Sequence, residues 1–219
     1  MTTFRQHMRE RIVQELGEIP DVLRPGIYAL TFRIDSVDQD PRLPYLAFGY
    51  VTEGHVDQQL SRADPPGEWE ARWSYAYFPP SALEGVGVLG HDRVHDPRGS
   101  ELHHQEAVAE GLWWEDGLPE HENENENEDK NEDKNEDKNE DGDEDDEEER
   151  AERLDAEFRA LCVDLARELH EGGHLVGTLG RSVPVVLYDM FAPDEMFELT
   201  RAANPPEVAA GFLSGERML

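Results

Sequence analysis

Val183-Pro184-Val185-Val186-Leu187-Tyr188-Asp189-Met190 is followed by Phe191-Ala192-Pro193-Asp194-Glu195 and, after a short apolar-periodic run, by Asn204-Pro205-Pro206-Glu207. Val183 and Val185 to Tyr188 form an apolar run too short for a helix, the pattern of a strand covered on both faces. Pro184 lacks the N–H that a central ladder position needs, so it belongs at the strand's entry or edge. Pro193 presets φ for a first helical turn, Asp194 and Glu195 sit where the helix dipole favours negative charge, and Met196, Phe197, Leu199, Thr200 and Ala203 supply a buried face. Asn204 and the two prolines after it stop that helix. A buried strand therefore feeds a short helix.

Upstream, Leu154, Phe158, Leu161, Cys162, Leu165 and Leu169 keep helical spacing from about Ala151 to a Gly172-Gly173 stop. Gly177 to Arg181 then reads as the turn into the strand. Cys162 lies on the apolar face, with no basic group near it in sequence to activate a thiolate, so it reads as a small core residue. At the N-terminus Thr3 with Gln6 matches a capping box, and Phe4, Met8, Ile12 and Leu16 mark one face of a first helix. Tyr28, Leu30, Phe32 and Ile34 alternate with Ala29, Thr31 and Arg33, and Leu46, Phe48 and Tyr50 form a second alternating run. These two strands are expected to pair antiparallel. Gly54 to Leu60 suits a helical turn. Trp73, Tyr75 and Tyr77 alternate as a third strand with an aromatic face, either a ligand surface or core, and the area each ring buries favours core.

The letters of Gly85-Val86-Gly87-Val88-Leu89-Gly90 match a dinucleotide fingerprint, but the flanks are not a strand turning tightly into a helix, so that reading is rejected. The loop beyond it is rich in metal-ligand chemistry: His91, Asp92, His95 and Asp96, then His103, His104 and Glu106. Pro97 and Gly99 argue against a helix that would put His91 and His95 on one face. A helix is expected from Glu101 to Trp114, with Trp113 near its apolar side and Trp114 about a quarter turn away as a partner-binding anchor or a cover for the core edge.

The formal charge is −31, and residues 120–150 hold 19 acids against 4 bases, which leaves −16 on the other 188 residues. Such a field repels nucleic-acid phosphates and anionic membranes and favours a basic protein partner, while also serving solubility. No apolar run is long enough to span a bilayer and no signal core opens the chain, so a cytoplasmic location is expected. All three lysines lie in the repeat tract against 17 arginines in the chain, a bias that suggests a high-GC bacterial source. The expected organisation is one α+β domain, 1–119 and 151–219, with a mixed or antiparallel sheet covered by helices. A disordered acidic low-complexity insertion, 120–150, interrupts it, because a tract without apolar residues cannot repay its ordering entropy.

The N-terminal helix, Ile27-Tyr28-Ala29-Leu30-Thr31-Phe32, the Trp69 to Glu84 segment, the helix ending near Gly172, Val185 to Tyr188 and the closing Asn204-Pro205-Pro206-Glu207 together resemble an uncharacterised bacterial family, domain of unknown function 4303. The resemblance covers most of the chain outside the acidic tract and implies no catalytic residues. After the last strand such proteins often carry Ser and Asp, where this chain has Asp189-Met190-Phe191. Two function classes follow. One is a non-enzymatic acidic binding domain without a cofactor, of the immunity type that masks a basic partner, with Trp73, Tyr75, Trp113 and Trp114 as contact residues. The other is a metal-dependent hydrolase using His91, His95, His103 and His104.

Overall fold

The computed structural model describes residues 2–115 and 141–217. Residues 120–140 of the acidic insertion lie outside these residues, and so does the disorder expected of them, whereas residues 141–150, expected to be disordered, are helical. The chain forms one α+β domain around a four-stranded mixed sheet in the order β3-β2-β1-β4. Helix α1 (Phe4–Glu18) leads into strands β1 (Ile27–Ser36) and β2 (Pro44–Thr52), followed by the short helices α2 (Glu53–Leu60), α3 (Glu68–Trp73) and α4 (Pro80–Leu83). Strand β3 (Gly87–Gly90) and helix α5 (Pro97–Ala109) complete the first part. After the insertion come α6 (Asp141–Glu171), α7 (His174–Leu179), strand β4 (Val185–Tyr188), α8 (Met196–Ala203) and α9 (Pro206–Leu213).

Helix α1 starts where the sequence places it: the Thr3 hydroxyl accepts from the Gln6 N–H at 3.1 Å. The α6 face is buried from Leu154 to Leu169, including Cys162, whose thiol pKa burial pushes up. Within the described residues that helix already runs from Asp141, upstream of the Ala151 start that the apolar spacing marks. Its apolar face packs with α1 on one side of the sheet, around Leu30, Phe32, Ile34, Leu46 and Leu187. On the other side Tyr28, Ala29, Val186 and Tyr188 meet Trp73, Phe78 and Phe212. β1 is therefore buried on both faces, whereas its alternation predicts one core face; the residues between, Ala29 and Thr31, are small enough to sit beneath the second helical layer.

β1 and β2 pair antiparallel as expected, with Phe32 opposite Phe48 and Ile34 opposite Leu46. The expected third strand at Trp73 to Tyr77 is not one. Glu70 accepts from the Gly67 N–H at 2.9 Å, which nucleates α3, and Tyr75–Tyr77 form a single 3-10 turn. The sheet's third strand is instead β3, pairing Leu46 with Leu89. Its glycines hide it from an apolar-alternation reading. Gly49 in β2 allows α4 to approach, since a Cβ there would lie 2.2 Å from the Ser81 carbonyl oxygen.

β4 runs parallel to β1 at the sheet edge, with Leu30 opposite Val185. Its outward groups do not face solvent. Asn204 Oδ1 accepts from the Val185 N–H at 2.7 Å while its Nδ2 donates to the Val185 and Thr200 carbonyls, both at 2.7 Å. Two residues along, the Thr200 hydroxyl accepts from the Leu187 N–H at 3.0 Å and donates to the Leu187 carbonyl at 3.3 Å. A spacing of four on a helix thus matches a spacing of two on a strand, and α8 closes an edge that would otherwise recruit another chain. Pro205 and Pro206 end α8 but also start α9, which carries Phe212 into the second core.

Candidate functional site

The direction of the strands decides where loops gather. β1 and β4 are parallel, and β3 is antiparallel to β2, itself antiparallel to β1. The carboxyl ends of β1, β3 and β4 therefore share one edge of the sheet, the edge outside which open α/β sheets place their crevices. Ser36, Gly90 and Tyr188 end there, and each is followed by an acid-bearing loop.

After β3, Asp96 is the organising side chain. It is buried, accepts from the Gly90 N–H at 3.0 Å and caps α5 by accepting from the Gly99 N–H at 3.0 Å. His7 of α1 donates to the same carboxylate at 2.8 Å. These contacts fix His91 against α5, where its Nδ1 lies 3.0 Å from Nδ1 of His103. One Nδ1 must carry the proton and the other accept it, so the two neutral rings are opposite tautomers. Burial, with Arg93 and His104 nearby, lowers the His91 pKa from 6.5 to about 4. Burial and the neighbouring His91 and His104 lower that of His103 to about 3.

Trp113 stacks on His91, centroids 5.7 Å apart, and takes the edge of His104 at 4.4 Å. The guanidinium of Arg42 lies over the rings of Trp113 and Trp114, at 5.6 and 5.1 Å, and donates to Asp40. Helix α5 ends at Ala109, short of both tryptophans, because the chain closes at Gly111 with φ 71°. Trp113 and Trp114 are half-buried and cover Leu112 and Leu154 in a small third cluster.

The candidate residues thus separate into three places. Trp73 and Tyr75 belong to the second core: Trp73 packs edge-on against Tyr28 and Phe212, and Tyr75 stacks on Tyr188 at 5.7 Å. They form no aromatic ligand surface with Trp113 and Trp114. The four histidines do not converge on a metal position. His91 and His103 spend a ring nitrogen on each other, His95 is exposed and turned to Asp92 at 3.0 Å, and His104 packs on Trp113. Among the described residues no group of three or more His, Cys, Asp or Glu side chains is arranged to hold a metal ion.

The loop after β4 carries the residue that sequence reading passed over. Asp189 accepts from Arg159 at 2.7 Å and from the Phe191 N–H at 2.7 Å, and Arg159 also donates to Asp155 and Glu195. Phe191 is left 68% exposed. It borders an open cleft of about 630 Å³ whose lining includes Asp35, Asp38 and Asp92 and, among the described residues, no basic side chain. The available signal was the recurrence of Asp within two residues after β1, β3 and β4, at Asp38, Asp92 and Asp189, which acquires meaning once those ends are known to coincide. No described helix is long and apolar enough to cross a membrane. Compared with models of known families, with curated proteins and with solved structures, the chain matches none.

Proposed function

We propose that the protein is a binding domain for a basic protein partner, in the manner of an immunity protein that masks its target. The observation that carries this reading is where the charge resides. The chain keeps −16 outside residues 120–150, and its arginines are largely spent internally: Arg5 on Asp164, Arg72 on Glu53, Arg98 on Glu101, Arg159 on Asp189, Arg201 on Glu216. The surplus carboxylates stand in solvent, where complementary charge steers association and sets specificity. The two histidines held neutral at the sheet end support packing, and the separated histidine set gives a metal-dependent hydrolysis no centre. The chain's resemblance to domain of unknown function 4303 fits this reading without adding residues to it.

Affinity capture at low salt tests it, using the whole chain beside a variant whose residues 120–140 are replaced by an equally long neutral Gly/Ser run. A basic protein retained by both baits is the expected result and assigns the function to the folded domain. Retention by the whole chain alone moves the function to the tract, and retention of no basic protein by either removes the proposal.

A further inference from the structure

Resting on that reading, the geometry points to one docking surface: we infer that the edge formed by the carboxyl ends of β1, β3 and β4 receives an extended basic segment of a protein partner. Arginine or lysine side chains of that segment meet Asp38 and Asp92, and an apolar side chain beside them packs on Phe191.

Three observations converge here. First, Phe191 combines 68% exposure with a fixed backbone, its N–H held by Asp189, which Arg159 holds in turn. A preset aromatic ring loses little freedom on binding, the property of interface anchors. Second, the open cleft of about 630 Å³ beside it is lined by Asp38 of the β1–β2 connection and Asp92 of the loop after β3, together with Asp35 of β1, which already pairs with Arg33 at 3.4 Å. Asp38 sits at the tip of the β1–β2 connection with φ 55°, a conformation that Asp tolerates better than most residues, and its side chain is exposed. Third, Asp92 is shared with a second cleft of about 420 Å³, where Asp40, Asp92 and Glu115 outnumber Arg42 and Arg93, and where Val94 is 82% exposed beside Trp113. Apolar and acidic groups thus recur from Phe191 through Asp38 and Asp92 to Val94. An extended chain that alternates basic and apolar side chains matches that order, whereas an acidic or purely apolar segment does not.

The test is fluorescence anisotropy of a labelled peptide alternating arginine and leucine, titrated at low salt with the whole protein. Phe191→Ala is expected to weaken binding about tenfold. Asp38→Asn is expected to weaken it about two- to threefold, an effect that fades as salt rises. Asp21→Asn and Val22→Ala make the same kinds of change at the opposite end of the sheet, where Val22 is 84% exposed, and are expected to bind as the parent does. Equal weakening from both ends would overturn the docking assignment while leaving a diffuse acidic binder. No binding of the peptide by the parent protein would overturn both readings.

Discussion

Asn204→Ala is expected to destabilise the protein by roughly 3–5 kcal/mol, read as a fall in the urea midpoint with an unchanged slope. The side chain holds both outward backbone groups of Val185 and the Thr200 carbonyl, and His170 donates from Nε2 to its Oδ1 at 3.0 Å. Removing it leaves a buried N–H and buried carbonyls without partners, and each such orphan costs about 1–3 kcal/mol. Thr200→Val is expected to cost less, about 2–3 kcal/mol, because it unpairs only the two groups of Leu187, and Thr200→Ser should restore most of the loss by keeping the hydroxyl. A second readout separates edge protection from generic packing. Val185-Val186-Leu187-Tyr188 is a short apolar strand at a sheet edge, so opening its outer side should raise light scattering at concentrations where the parent stays clear. A loss near 1 kcal/mol, without association, would mean that α8 merely lies beside β4.

Mild acid is expected to weaken the fold through His91 and His103. Unfolded, each titrates near 6.5; folded, they titrate at about 4 and about 3. The unfolded chain therefore binds more protons between these values, and stability falls as pH drops through 6.5, continuing until the folded pKa values are reached. From pH 7 to pH 5 the pair should remove roughly 3–4 kcal/mol. His170, whose pKa burial also lowers, acts in the same direction, whereas relief of self-repulsion on a strongly acidic chain acts in the opposite one. The comparison that isolates the pair is the double substitution His91→Leu with His103→Leu, which should flatten the stability profile across this window even where it lowers the plateau. A double variant whose profile keeps the parent's slope would place the acid sensitivity elsewhere.

Local rules carried much of the fold. Thr3 capping, the apolar faces of α1 and α6, the β1–β2 pairing and the buried Val185–Tyr188 strand all follow from periodicity and cap chemistry, which act over a few residues. The failures are where long-range contact decides. Trp73, Tyr75 and Tyr77 alternate as a strand would, yet Gly67, Glu70 and the prolines at 79 and 80 make that segment helical turns, while β3 carries only Val88 and Leu89 between glycines. Asn204 announces the end of a helix but not the strand it clamps, because Val185 is 19 residues away in sequence. The candidate site was less legible still. Asp38, Asp92 and Asp189 each look like ordinary loop acids until the sheet brings three strand ends together, and the histidines suggest a metal set until His91 and His103 are seen to satisfy each other.

Binding of the arginine–leucine peptide to the whole protein, followed as ionic strength rises, asks whether acidic surface recognises a basic partner. The account predicts measurable association at low salt and a dissociation constant that rises at least about tenfold on reaching physiological ionic strength, where charges farther apart than roughly 8 Å are screened. Association that ignores salt, or none at low salt, would contradict it.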